Sequence, residues 1–155
     1  MLKQKITPFL WFNGQAEEAM NLYTTIFKNS KVVSLSRWGD SGPMPKGTVM
    51  SVIFQLEGQD FIALNGGPMF TFSPAISLFV SCETQEEIDD YWLKLSAGGE
   101  IQMCGWLKDK FGVSWQIIPS DLGELMHSKD PEKSKRVMQA MLKMKKLIIA
   151  ELRNA

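Results

Sequence analysis

The sequence predicts an α+β fold, with two consecutive strand–helix–three-strand modules forming a curved mixed sheet and a helical tail at the C-terminus. Three observations carry this. Short runs rich in β-branched and aromatic residues alternate with glycine and proline turns. A single amphipathic helix follows the first strand of each module. The same order of elements recurs after a Gly66-Gly67-Pro68 linker, while residues 121–153 lie outside the repeat.

In the first module, residues 6–12 (Ile-Thr-Pro-Phe-Leu-Trp-Phe) read as a strand and Asn13-Gly14 as a turn. Ala16, Ala19, Met20, Tyr23 and Phe27 fall at helical spacing, which places a helix over 15–27 with Glu17 and Glu18 at its positive end. Strands follow at 31–38, 48–56 and 61–65, separated by a Pro/Gly-rich loop over 39–47 and a tight turn at Gly58. In the second module a strand is expected over 75–82. Thr84 and Glu87 have capping-box spacing, and Ile88, Tyr91, Trp92 and Leu95 form the stripe of a helix ended by Gly98-Gly99. Strands are expected at 100–104, 106–108 and 113–118, the last two joined by an Asp109-Lys110-Phe111-Gly112 turn. In the tail, 121–126 reads as a short helix. Asp130 caps a long helix with Pro131 in its first turn and Val137, Met141, Met144, Ile148 and Leu152 as its stripe. The expected organisation is one paired-module domain over 1–119 (modules at about 5–67 and 74–119) with an extension over 120–155.

Composition narrows the function. Hydrophobic residues are 45% and charged residues 22%, globular values, over 155 residues. Seventeen basic and 17 acidic residues give a formal net charge of +0, so no global field draws in nucleic acid or an anionic membrane. No apolar run approaches the ~20 residues of a membrane span, and the N-terminal residues lack the apolar run of a signal peptide. A soluble, cytoplasmic protein is expected. Cys82 and Cys104 belong to no paired motif and read as free core thiols.

The usual catalytic patterns are missing. His127 is the one histidine, too few for an imidazole metal site. There is no Gly-x-Ser-x-Gly elbow, no phosphate-binding glycine loop and no Cys-x-x-Cys. Strand alternation gives the remaining signal. One set of positions is uniformly large and apolar and belongs against the helices. The other mixes aromatics with small and polar residues: Thr7, Trp11, Ser51, Ala63, Asn65, Ala75, Ser77 and Gln116. Such a face lines a pocket, or else packs on a second subunit or the tail. On the pocket reading Thr7, Trp11, Asn65, Ser77, Phe79 and Gln116 bind the ligand. Asn65 and Gln116 orient a polar group, and Trp11 and Phe79 meet an apolar or planar part.

These residues resemble a known family. The tandem repeat is similar to the vicinal oxygen chelate superfamily of glyoxalase I, bleomycin-resistance proteins and extradiol dioxygenases. Thr7-Pro8-Phe9-Leu10-Trp11-Phe12, Ala63-Leu64-Asn65-Gly66-Gly67, Cys104-Gly105-Trp106-Leu107 and Ser114-Trp115-Gln116 resemble its PhnB-like family, often labelled 3-demethylubiquinone-9 3-methyltransferase. The resemblance implies a homodimer and four metal-ligand positions, here about Thr7, Ala63, Ala75 and Gln116. None is a histidine or carboxylate, so no metal and no cofactor is expected. The expected function is binding of a small molecule without the superfamily's metal set. The alternatives are a metal-dependent glyoxalase or dioxygenase relative, the methyltransferase of the label, or a structural dimer with no ligand.

Overall fold

In the computed structural model, which describes residues 4–155, the chain separates into two compact units, one ending at Phe72 and the other spanning Ser73–Ala155. The first contains strand β1 (Phe9–Phe12), helix α1 (Ala16–Ile26) and strands β2 (Ser30–Arg37), β3 (Val49–Leu56) and β4 (Gln59–Asn65). The sheet order is β1-β4-β3-β2, with β1 parallel to β4 and the other pairs antiparallel. Leu10, Phe12, Val52, Phe54, Phe61 and Ala63 are buried together with Ala19, Met20 and Tyr23 of α1. Phe54 stacks on Phe61 at 5.5 Å, the offset contact that adds to simple area burial.

The second unit repeats the order with strand β5 (Ser77–Cys82), helix α2 (Gln85–Ser96) and strands β6 (Glu100–Ile101), β7 (Trp106–Lys108) and β8 (Ser114–Pro119). Its sheet runs β5-β8-β7-β6, with β5 parallel to β8. The expected capping box is present: Thr84 accepts from the Glu87 amide, and the Glu87 side chain reaches back to the Thr84 amide. Ile88, Trp92 and Leu95 of α2 are buried, as are Leu107, Trp115 and Ile117 of the sheet. Asp109 holds the hairpin between β7 and β8. It is 2% exposed and accepts from Phe111 N, Val113 N and Trp115 Nε1 at 2.9, 3.0 and 2.9 Å.

Four sequence expectations need correction. First, the tail is not one long helix. Helix α3 (Leu122–Met126) is followed by α4 (Pro131–Met141) and a short α5 (Ile149–Arg153). Between α4 and α5 the carbonyls of Met144 and Lys145 accept from Cys104 N and Gly105 N, each at 2.7 Å. The Gln85 amide donates to Leu147 O at 3.1 Å and accepts from Ile149 N at 2.8 Å. Carbonyls bound to another segment cannot continue a helical ladder, so the helix stops. Met141 and Met144 still pack, as expected, against the cluster of Ile118, Val137, Leu147 and Leu152. Ile148 is the N-cap of α5 rather than part of a stripe.

Second, β4 is turned relative to the expected faces. Leu64 pairs with both Trp11 and Ser51, whereas Ala63 pairs with Leu10 and Val52. Residues opposite one another share a face, so Ala63 and Asn65 belong to the helix side and Ile62 and Leu64 to the open side. Third, Thr7 and Ala75 precede their strands. Pro8 has no N–H to pair, and Pro74 and Ala75 lie in a turn closed by Ile76 N to Ser73 O at 3.3 Å. Ile76 accordingly is 79% exposed. Fourth, Cys104 does not end a strand. It has φ +59 and, with Gly105, makes the turn between β6 and β7.

Candidate functional site

The first unit holds a cleft of about 740 Å³ at the end of its sheet where β1, β2 and β4 terminate and α1 begins. Its wall combines Asn13, Gly14 and Glu17 near the start of α1, Arg37 and Trp38 at the end of β2, and Val49 and Leu64 of the sheet. Pro43, Met44 and Thr48 come from the loop after β2, and Asn65, Gly66 and Gly67 from the end of β4. The β2–β3 register shifts between Ser36 and Arg37. Arg37 reaches Glu17 on α1 with Nη2 to Oε1 at 3.6 Å. Arg37 Nη1 also donates to Gly47 O at 3.0 Å. Trp38 is pinned by its backbone, which donates to Thr48 O and accepts from Gly47 N, both at 2.9 Å. Its indole Nε1 is buried with no acceptor among the described residues.

Three of the sequence-predicted ligand residues fall in this unit. Asn65 lines the cleft, and both ends of its amide are engaged. Oδ1 accepts from Ala16 N at 2.9 Å, satisfying one of the free amides of α1, and Nδ2 donates to Val49 O at 3.1 Å. Gln15, the N-cap residue, makes no side-chain cap, so Asn65 does from across the sheet what an N-cap does locally. Trp11 donates its indole N–H to Gly67 O at 2.9 Å and meets Phe70 edge-on at 5.0 Å. Its ring lies so close to the next backbone that a Cβ on Gly66 would come within 2.3 Å of it. Trp11 therefore shapes the cleft through Gly66 and Gly67, with its own polar atom already used. Thr7 stands before β1, and its hydroxyl donates to Gln4 O at 3.3 Å.

Ser77, Phe79 and Gln116 come together in the second unit. Gln116 Nε2 donates to Ser77 Oγ at 2.8 Å. Gln116 pairs with Phe79 on one side and Trp106 on the other, so an amide sits between two aromatic residues in one row across β5, β8 and β7. Phe79 is 61% exposed. Arg37, Trp38, Glu17 and Trp106 were not singled out from the sequence as site residues. The available signal for the first two was position, directly before a loop with three glycines and two prolines, and loops held by a rigid sheet are where binding residues collect.

The remaining titratable groups do not converge on a reactive centre. Cys82 and Cys104 are free thiols. Burial, with a smaller contribution from Glu87, pushes the Cys82 thiol from 9.0 up to about 12, so it stays protonated and inert at neutral pH. His127 Nδ1 lies 2.8 Å from Gly123 O at the end of α3. Among the described residues, no group of three or more His, Cys, Asp or Glu side chains is placed to hold a metal ion. The four positions implied by the resemblance do not supply one either. Thr7 and Ala75 lie outside the strands, Ala63 faces the helix, and the Gln116 amide is bonded to Ser77. An amide, a hydroxyl and two methyl groups do not make a site for zinc, iron or manganese.

Tandem βαβββ modules, each with its first and last strands parallel and in the order first-fourth-third-second, define a protein of the vicinal oxygen chelate fold class. Residues 4–118 match the family described as 3-demethylubiquinone-9 3-methyltransferase, and the chain belongs to that family, among its PhnB-like members. It is similar to the PhnB protein of Bacillus cereus, with 48% identity, coverage of 75% of this chain and 99% of that one, and a TM-score of 0.70. A Pseudomonas aeruginosa protein, PA1353, shares the fold at 22% identity, covering 76% of this chain and 98% of its own, with a TM-score of 0.63. No curated protein matches the chain. Among the described residues no helix is long and apolar enough to cross a membrane.

Proposed function

We propose that this chain binds a small organic molecule in the cleft of its first unit and uses side-chain and backbone contacts rather than a metal to hold it. The cleft carries the reading. Its volume of about 740 Å³ lies within the ~300–1,000 Å³ range of ligand pockets, and its wall is largely apolar with a few fixed polar groups. Ser77, Phe79 and Gln116 offer a second contact surface on the other unit. Methyl transfer has no support in these residues, which form no loop suited to S-adenosylmethionine.

The test is differential scanning fluorimetry against a library of small metabolites, repeated on Trp38→Ala and Met44→Glu. Compounds that stabilise the parent and not the variants support the cleft. Stabilisation that survives both variants, or no stabilising compound at all, removes it.

Two further properties belong to this reading. Phe9, Val32 and Phe79 are exposed apolar residues on sheet strands, which supports a homodimer covering them. Sedimentation equilibrium giving only a 17.5 kDa species would overturn that. The two unpaired thiols suit a reducing, cytoplasmic setting, which fractionation of the native cells checks.

A further inference from the structure

We infer that the cleft selects a small carboxylate with an apolar body, its carboxylate held by Arg37. This rests on the cleft being a ligand site and adds the chemistry of what it takes. Among the described residues, Glu17 and Arg37 are the only charged ones lining it. The Arg37 contact to Gly47 O fixes the guanidinium at the cleft wall. Its other amino group lies 3.6 Å from Glu17 Oε1, an ion-pair distance and not a hydrogen bond. A guanidinium carries five N–H donors in a planar fork, and that fork matches a carboxylate with two parallel bonds.

Glu17 therefore acts as a loose placeholder. Both side chains of the pair are about half exposed, at 50% and 41%, where an ion pair adds little and an incoming carboxylate displaces it at small cost. A cation drawn to Glu17 would meet Arg37 at the same point, so the site disfavours it. A neutral ligand would leave the Arg37 donors to water. The rest of the wall decides the body of the ligand. Trp38, Pro43, Met44, Val49 and Leu64 present an apolar surface that a bare inorganic anion would leave wet.

The experiment is a ¹H–¹⁵N titration of the full chain with benzoate and with benzamide, its neutral isostere. Benzoate is expected to move the amides of Arg37, Thr48 and Gly67 and to bind at least about tenfold more tightly than benzamide, the difference made by charge-assisted hydrogen bonds. Arg37→Gln is expected to abolish that preference while the melting temperature holds, since Arg37 is on the surface. Glu17→Gln is expected to tighten benzoate, because the competing carboxylate is gone. Equal binding of benzoate and benzamide at these amides refutes the carboxylate and leaves the cleft as a ligand site. Benzoate preference that survives Arg37→Gln refutes the role of Arg37. No movement of these amides with either compound overturns the inference, and the library screen on the cleft variants then decides the cleft by itself.

Discussion

Replacing Asp109 tests whether the β7–β8 hairpin is held by one buried carboxylate. Asp109 accepts from three N–H groups. Two of those bonds, from Val113 N and Trp115 Nε1, are fully buried, so water cannot take over for the lost oxygen. Asp109→Ala orphans both donors at about 1–3 kcal/mol each, a loss of roughly 4 kcal/mol. Phe111 N is partly buried and adds less. Asp109→Asn is the discriminating control. Its oxygen retains the two backbone bonds, and its NH₂ group faces the Trp115 N–H, so only one bond fails and the loss is about 1–3 kcal/mol. Urea unfolding followed by tryptophan fluorescence measures both. On the melting temperature the losses correspond to about 10 °C and about 5 °C for a chain of this size. A loss below about 1 kcal/mol for the alanine variant would show that the donors find other partners and would refute the reasoning.

The tail and the thiols give two more predictions. Gln85→Ala removes the two side-chain bonds from α2 to the segment between α4 and α5. It should cost about 1–2 kcal/mol and speed hydrogen exchange at the Ile149 amide; unchanged exchange there would show that Gln85 does not protect that amide. Thiol labelling at pH 8 should modify Cys104 in the native protein and Cys82 only after unfolding. Because the folded Cys82 thiol is raised above its unfolded value, its contribution to stability is complete below 9.0 and is lost as pH rises toward about 12. Cys82→Ala should flatten that alkaline slope, and an unaltered slope would assign it to other groups.

Much of the fold was legible because local chemistry agreed with tertiary structure. Thr84 and Glu87 announced the start of α2, and the Asp109–Gly112 turn lies between β7 and β8 as expected. The misreadings have physical causes. On β4 both faces are apolar, Phe61 and Ala63 against Ile62 and Leu64, so alternation cannot tell inside from outside. The tail has no glycine or proline between Met141 and Leu152, and its stripe continues. The helix breaks because Cys104, Gly105 and Gln85 claim its backbone groups, partners too distant in sequence for a local pattern to register. The cleft was the least legible part. Glu17, Arg37 and Gly66 share no motif and meet only after β2 and β4 have taken their places in the sheet.

The broken tail also sets an order of events during synthesis. The described hydrogen bonds of the first unit close within its own residues up to Phe72. The second unit cannot finish when its last strand emerges, because Cys104 N and Gly105 N wait for the carbonyls of Met144 and Lys145. Domains fold as they leave the ribosome, N-terminal first. The second hairpin's amides are therefore closed only by the last part of the chain. A chain truncated after β8 would leave Cys104 N and Gly105 N without these acceptors and Ile118 without the tail residues packed on it.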